Sequence, residues 1–186
     1  MIVILISGKA QHGKTSTADI LEKYMKHAGK RIVQINYADY VKFICTKYYG
    51  WDGKKDKKGR HILQYVGTDI FRARDEHFWV DAVIRFARAV WDDFDFMLVA
   101  DWRFPNEFTR WIDNGLTDIY RVRVCRPGYD NGLTPEQSQH PSEISLDDFP
   151  MDYILSAVDL IGLEQECYKI LDVFHIEYGL GKNANT

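Results

Sequence analysis

The stretch MIVILISGKAQHGKTSTADIL (residues 1–21) joins an apolar run to a glycine-rich turn and then to a helical pattern. The β-branched run Ile2–Ser7 is typical of a strand buried on both faces of a parallel sheet. After the turn, apolar residues recur at helical spacing from Ala18 to Ala28, and Gly29 is placed to end the helix. The stretch therefore predicts a strand, a turn and a helix in that order.

The turn fits the pattern G-x-x-x-x-G-K-[ST] without a gap, from Gly8 to Thr15. Gly8 and Gly13 permit backbone dihedrals and a close approach that a Cβ would block, so successive N–H groups can point at phosphate oxygens. The helix that follows adds the partial positive charge of its N-terminus to the same place. The alternative is a flexible turn without a ligand. The pattern and its context favour a loop that binds a nucleoside triphosphate.

The polar positions of this loop have separate expected roles. Lys14 is expected to reach the β- and γ-phosphates, the Thr15 hydroxyl to coordinate Mg²⁺, and Ser16 to contact the α-phosphate. The residues assigned to nucleotide binding in the loop are Gly8, Gln11, His12, Gly13, Lys14, Thr15 and Ser16.

A second acidic strand end appears in the segment MLVADWRFPNE, where Asp101 directly follows four apolar residues. In P-loop enzymes a carboxylate at the end of a neighbouring strand completes the Mg²⁺ site. Arg103 lies on the same side as Asp101 if the chain stays extended, and there it can offset charge on a transferring phosphoryl group. The alternative is a surface Asp–Arg pair, with Asn106 and Glu107 serving only as helix-start residues.

Strand and helix patterns alternate along the rest of the chain. Further strands are predicted at 31–35, 96–101, 120–126 and 153–155, and further helices at 39–49, at two places between 61 and 90 with a break near Asp75, and at 163–174. This alternation predicts a three-layer α/β P-loop NTPase fold with a mostly parallel central sheet. The chain has no internal repeat or linker, so a single domain, 1–186, is expected.

Composition limits the classes of partner. The 186 residues include 27 acidic and 24 basic side chains, for a net charge of −3, so binding of nucleic acid through a basic surface is not expected. Asp52 precedes the basic run between Lys54 and Arg60 and Asp56 interrupts it, so the run is interpreted as a solvated loop. The sequence shows no membrane-spanning segment and no export signal, and its three scattered cysteines are expected to be reduced. We therefore expect a cytoplasmic protein without a membrane partner.

A P-loop by itself does not separate kinases, GTPases, motors and switches. The chain lacks an N-K-x-D guanine-reading motif and has the size of a small-molecule kinase. Phosphoryl transfer between two anionic substrates needs several cations, because charge on both must be offset before the oxygens approach. The candidate cations beside motif segments are Arg72, Arg74, Arg103 and Arg126.

Several segments together resemble the bacteriophage-type deoxynucleoside monophosphate kinases. They are ISGKAQHGKTSTADIL (6–21), YADYVKFI (37–44), YYGWDGKKDKKGRHILQYVGTDIFRARDEHFWVDAV (48–83), VADWRFPNE (99–107), VCRPG (124–128) and HPSEISLDDFPMDYIL (140–155). The resemblance covers Ile2 to about Leu171. A more distant similarity is to animal phosphomevalonate kinases, which share the loop, the D-x-R segment and an acidic SE…LD stretch.

The resemblance implies ATP-dependent phosphorylation of a deoxynucleoside monophosphate to the diphosphate, with Mg²⁺. It also implies a core at 1–36 and 94–126, a helical substrate-binding part at about 37–92 and a lid at about 127–143. A homodimer is compatible with the resemblance, and a phage-encoded chain would act in the host cytoplasm. The alternatives are a kinase of another phosphorylated small molecule, phosphomevalonate-like or a modified nucleotide, and a non-catalytic nucleotide-dependent switch or nucleic-acid-associated protein.

The resemblance also assigns residues. Those assigned to the acceptor are Lys9, Asp39, Lys42, Gln64, Arg72, Arg74, His140 and Glu143. Among them, Lys42 and Arg72 are expected to hold the acceptor phosphate, and Glu143 to read base edges. Arg126 is expected to contact the donor nucleotide, and Lys14, Arg103 and Asp101 to carry catalysis. Trp79 suits either base stacking or core packing, and its apolar helix pattern favours the core.

Four positions depart from the family pattern. Gln11 and His12 stand where the family often has a basic and a small residue, and Thr15 stands where it often has Asp. The family's Asn after the late strand is missing, because Ser156 and Ala157 follow there. A role for that Asn in nucleotide binding therefore does not transfer to this chain.

Overall fold

The computed structural model describes residues 1–54 and 56–177. Its strands are β1 (Ile2–Ser7), β2 (Ile32–Gln34), β3 (Phe96–Val99), β4 (Ile119–Cys125) and β5 (Tyr153–Ser156). Its helices are α1 (Lys14–His27), α2 (Tyr37–Tyr48), α3 (Lys57–Gln64), α4 (Phe78–Ala89), α5 (Pro105–Asp113), α6 (Pro135–Ser138), α7 (Pro141–Ile144) and α8 (Leu160–Val173). A π-helical segment, Tyr65–Arg72, continues directly from α3.

The sheet has the strand order β2-β3-β1-β4-β5, and neighbouring strands pair in parallel. Alternate residues of β1 enter two cores. Ile4 and Ile6 pack in the core that includes α1 and α8, whereas Val3 and Leu5 pack in the core that includes α4. Helices thus cover both faces, which confirms the three-layer α/β prediction.

The predicted helices between 61 and 90 are confirmed in number and in their break near Asp75, but the first differs in form. It begins at Lys57, inside the run interpreted as a solvated loop, and widens into the π-helical segment. Gly67 is buried in that segment, and its carbonyl accepts a hydrogen bond of 2.9 Å from Trp79 Nε1. Trp79 is buried, as its helix pattern favoured.

The loops that follow β1, β3 and β4 lie at one edge of the sheet, because parallel strands end at the same edge. Ligands of open α/β sheets bind at this carboxyl edge. The glycine turn, the Asp101–Phe104 segment and the segment after Cys125 therefore come together. Within residues 1–54 and 56–177, no helix is long and apolar enough to cross a bilayer.

Candidate nucleotide and acceptor sites

The glycine turn is held in a conformation that its two glycines make possible. Gly8 has φ 148° and Gly13 has φ 103°, both in the region that side chains disfavour. A Cβ at Gly8 would lie 2.5 Å from the carbonyl oxygen of Val124, on the neighbouring strand. Helix α1 starts at Lys14, directly after Gly13, so its free N–H groups face the turn. The geometry is that of an anion-binding loop at a helix N-terminus.

Lys14 folds back over the loop. Its Nζ donates hydrogen bonds to the carbonyl oxygens of Gly8 (2.7 Å) and Lys9 (2.9 Å). Burial, followed by the positive charge of Arg103, lowers the pKa of Lys14 to about 8. The ammonium is therefore charged at neutral pH but titrates within reach of an ordinary pH profile.

A carboxylate lies in the phosphate-binding loop. Glu143 Oε2 accepts a hydrogen bond of 2.8 Å from the backbone N–H of Ala10, and its Oε1 pairs with Arg103 Nη1 at 2.8 Å. The Glu143 side chain is only 8% exposed. A loop N–H and an arginine thus already hold an anionic group, as a phosphate would be held. The same contacts direct Glu143 to the loop, and its side chain does not line the larger cavity described below.

The segment 140–147 has a second contact with the loop. Asp147 pairs with Lys9 Nζ at 2.9 Å and also with Arg123 of β4. Although burial opposes it, these two cations lower the pKa of Asp147. Lys9, which is expected at the acceptor, holds this segment through its pair with Asp147. The sequence did not single out Arg123. It lies on the same face of its strand as Arg121, and the alternation of residues along a strand does not show which carboxylate either arginine will meet.

Asp101 lies at the end of β3 and caps α2. Its two carboxylate oxygens accept hydrogen bonds of 2.9 Å from the N–H groups of Tyr37 and Ala38. Burial raises the pKa of Asp101, and the two backbone hydrogen bonds oppose that rise. Thr15, in the first turn of α1, is exposed. A hydroxyl and a carboxylate are hard oxygen donors, which suit Mg²⁺.

A cavity of about 650 Å³ opens beside Arg103. Four cationic side chains line it: Lys42, Arg60, Arg72 and Arg103. Further polar groups are contributed by Gln64, Thr68, His140 and Ser142, and apolar ones by Val41, Leu63, Trp79, Phe104 and Pro141, among others. The cavity combines an anion-binding character with a surface that suits an aromatic ring. Arg60 reaches this lining from the basic run that sequence reasoning set aside.

Arg72 is held by a carboxylate and by an aromatic ring. It pairs with the buried carboxylate of Glu107 at 2.8 Å, and its guanidinium carbon lies 4.8 Å from the centroid of the Phe104 ring. The alternative in which Glu107 serves only to start a helix does not account for its contact with Arg72. Glu107 does accept hydrogen bonds from the N–H groups of Arg103 and Phe104, but its other oxygen enters the cavity lining.

A smaller cavity of about 270 Å³ adjoins the other side of the loop. Its lining includes Gln11, His12, Gly13, Ser16 and Arg126, with Asp159, Leu160 and Leu163 of the α8 start. The Arg126 N–H donates to His12 Nδ1 (3.1 Å), and its guanidinium carbon lies 3.9 Å from the centroid of the Tyr129 ring. Burial, then the charge of Lys14, lowers the pKa of His12, which suits this accepting role.

Three expected acceptor residues, besides Lys9, lie outside the lining of the larger cavity. Arg74 is exposed just beyond the π-helical segment, where the chain turns away from the cavity. Asp39 serves the α2 start, where its carboxylate accepts from the Asn36 N–H and pairs with Lys42. Glu143 binds the loop, as described, so its expected contact with base edges is not supported. Lys42, Gln64, Arg72 and His140 do line the cavity.

Comparison with solved structures gives the fold. No family model and no curated protein sequence matches the chain. The APS kinase of Mycobacterium tuberculosis, in a mutant form, is 12% identical with a TM-score of 0.54, covering 94% of this chain and 96% of that one. The same kinase in complex with AMPPNP and APS is 10% identical, with a TM-score of 0.53 and coverages of 94% and 97%.

The chain has a three-layer α/β P-loop NTPase fold, which it shares with this APS kinase. TT1252 from Thermus thermophilus is also similar, at 14% identity and a TM-score of 0.52, with 93% of this chain and 97% of that chain covered. At these identities the likeness concerns the fold, and the chemistry has to be argued from the side chains of this chain.

Proposed function

We propose that this protein transfers the γ-phosphoryl group of ATP to the phosphate of a deoxynucleoside monophosphate. The observation that carries the proposal is the position of Arg103. It lines the cation-rich cavity and, through Glu143, is joined to the N–H of Ala10 in the phosphate loop. A donor phosphate on the loop and an acceptor phosphate in the cavity would therefore meet at Arg103.

The donor side of the proposal rests on the loop and the smaller cavity. Lys14 and the N–H groups of the loop bind the terminal phosphates, while Arg126 and the α8 start border the rest of the nucleotide. Thr15 and Asp101 are the residues that would hold Mg²⁺, which when bound offsets phosphate charge. The APS kinase complex with AMPPNP, on the same fold, is consistent with ATP as the donor.

The acceptor side rests on charge and shape. Arg72 and Lys42 bind the acceptor phosphate, and the apolar side chains together with Gln64, Thr68 and His140 receive the sugar and base. A phosphate acceptor is ionised near neutral pH, so no strong general base is required. The rate enhancement then comes mainly from positioning the two phosphates and from neutralising their charge with Lys14 and Arg103.

The sequence resemblance narrows the acceptor to a deoxynucleoside monophosphate. A different phosphorylated small molecule, phosphomevalonate-like or a modified nucleotide, would use the same four cations and is the competing acceptor class. A phosphomevalonate-like acceptor has no aromatic base to fill the apolar part of the cavity, whereas a modified nucleotide has one and differs from the proposed acceptor only in the groups on its base.

An acceptor panel tests the proposal. The protein is incubated with Mg²⁺ and ATP and each deoxynucleoside monophosphate in turn, including methylated and hydroxymethylated pyrimidines, and phosphomevalonate serves as the competing acceptor. ADP formation with one or two nucleotides is expected. If ADP forms only with phosphomevalonate, the acceptor is phosphomevalonate-like and the nucleotide proposal is wrong. If ATP binds but no acceptor of the panel gives ADP, the protein is not a kinase of these acceptors.

A further inference from the structure

Glu107 carries a carboxylate that is buried away from water, and the loss of its hydration has to be offset by other contacts. It is 3% exposed, and burial raises the pKa of its carboxyl while the charge of Arg72 opposes the rise. A buried carboxylate is retained only with hydrogen-bonding partners, and Glu107 has three. Oε2 accepts from the N–H groups of Arg103 (2.8 Å) and Phe104 (3.2 Å), and Oε1 accepts from Arg72 Nη2 (2.8 Å).

These three contacts join two functional elements. The bonds to Oε2 fix the backbone of the loop that carries Arg103, and the bond to Oε1 fixes the guanidinium of Arg72 at the end of the π-helical segment. The Phe104 ring supports the Arg72 guanidinium from one face. Arg72 is one-quarter exposed and lines the cavity, so its remaining N–H groups are available beside bound ligand.

We infer that Glu107 is a positioning residue, which orients Arg72 toward the acceptor phosphate and sets its distance from Arg103. A guanidinium fixed in advance loses less side-chain entropy when it binds an anion than a free one does. The inference rests on the proposed function for the identity of the acceptor. It goes beyond that function by naming a residue that acts through Arg72 and the Arg103 loop and carries no positive charge of its own for the phosphate.

The test follows anion binding at Arg72 directly, with inorganic phosphate as the probe. In protein labelled with ¹⁵N-arginine, the Nε–Hε signal of Arg72 is identified by its loss in Arg72→Lys, and phosphate is titrated. We expect Glu107→Gln to weaken phosphate binding at this signal about tenfold or more, a size typical of directly coupled groups. Where the wild type phosphorylates a nucleotide of the panel, the acceptor KM should rise while the KM for ATP stays unchanged.

The matched control is Asp81→Asn. Asp81 of α4 holds Arg110 of α5 by bonds of 2.7 and 2.9 Å, so this variant also breaks an arginine pair on α5, but away from the cavity lining. It should leave phosphate binding at Arg72 unchanged. If Glu107→Gln does not fold, Glu107→Asp keeps the charge but withdraws the carboxylate, and the same loss is expected from it.

Each result decides the inference. Wild-type phosphate affinity in the folded Glu107 variant, an equal loss in Asp81→Asn, or a wild-type Arg72 signal that ignores phosphate would overturn it. A responsive Arg72 signal that weakens in the Glu107 variant supports it even if the nucleotide panel gives no ADP. That combination would refute the proposed function while leaving the positioning role in place.

Discussion

Lys14 concentrates the donor chemistry of the site in one side chain. Its ammonium group donates hydrogen bonds to the carbonyls of Gly8 and Lys9, which hold it in a defined place in the loop. A preorganised cation stabilises developing charge without a cost of reorganisation during the reaction. The residue was identified from the loop pattern alone, because the order of glycine, lysine and hydroxyl is set by local geometry.

Removal of this ammonium should abolish most of the activity. Lys14→Ala is expected to lower kcat by roughly 10³-fold or more, since charge neutralisation is the main catalytic term in phosphoryl transfer. Lys23→Ala, on the same helix at an exposed ion pair with Glu164, is the control and should retain activity. Steady-state ADP formation measures both variants, and near-wild-type turnover in Lys14→Ala would remove the loop from the mechanism.

The pH dependence should report the same residue. Burial and the charge of Arg103 hold the pKa of Lys14 at about 8, so the free enzyme loses the ammonium charge as pH rises through that value. We expect kcat/KM for ATP, which reports the free enzyme, to fall roughly tenfold per pH unit above pH 8. Bound phosphates raise the pKa, so kcat should persist to higher pH. A kcat/KM that stays flat to about pH 9.5 would contradict this account.

At the scale of elements, the sequence predicted the helices and strands whose apolar residues recur at a regular spacing. The strands, the P-loop, α1 and the end of β3 follow from runs of apolar residues and from glycine positions. The π-helical segment was not predicted, because apolar spacing over eight residues does not separate a four-residue from a five-residue hydrogen-bond step. It changes which side chains face the cavity, and Arg74 is left outside.

Long-range pairs were also beyond sequence reasoning. The contacts of Glu143 with Ala10 and of Asp147 with Lys9 join residues more than 130 positions apart. No local pattern indicates which cation a carboxylate will meet. The resemblance implied that Glu143 reads a base, whereas its carboxylate accepts a hydrogen bond from the loop N–H of Ala10 and pairs with Arg103.

The segment 140–147 should compete with the donor nucleotide. Glu143 takes an N–H of the loop that a phosphate oxygen would use, so the binding-competent state requires its release. Glu143→Gln is expected to tighten ATP binding roughly three- to tenfold, since apparent affinity rises with the competent fraction. Titration calorimetry measures the effect, with the exposed Glu136→Gln as control. Weaker ATP binding in Glu143→Gln would show that Glu143 supports the bound state.

At the scale of the whole molecule, one edge of the sheet brings together both proposed sites. Segment 140–147 borders both of them, with Glu143 on the loop and His140 and Ser142 on the larger cavity. Arg103 has the same double position. Donor and acceptor are therefore expected to act on each other's binding through shared residues.

This coupling can be measured without turnover. AMPPNP should tighten the binding of the nucleotide acceptor about fivefold or more, and the acceptor should tighten AMPPNP by the same factor, because coupling is reciprocal. Calorimetric titrations in both orders measure the two factors. Affinities that do not depend on the other ligand would show that the sites act independently.

We propose that the γ-phosphoryl group of ATP passes directly to the phosphate of the acceptor. Following a labelled γ-phosphate to its product tests this transfer. The protein is supplied with ATP labelled with ³²P at the γ-phosphate and with the acceptor that gives most ADP in the panel, with Lys14→Ala as the inactive control. We expect label in the β-phosphate of a deoxynucleoside diphosphate. Label recovered as inorganic phosphate, or remaining in ATP, would contradict it.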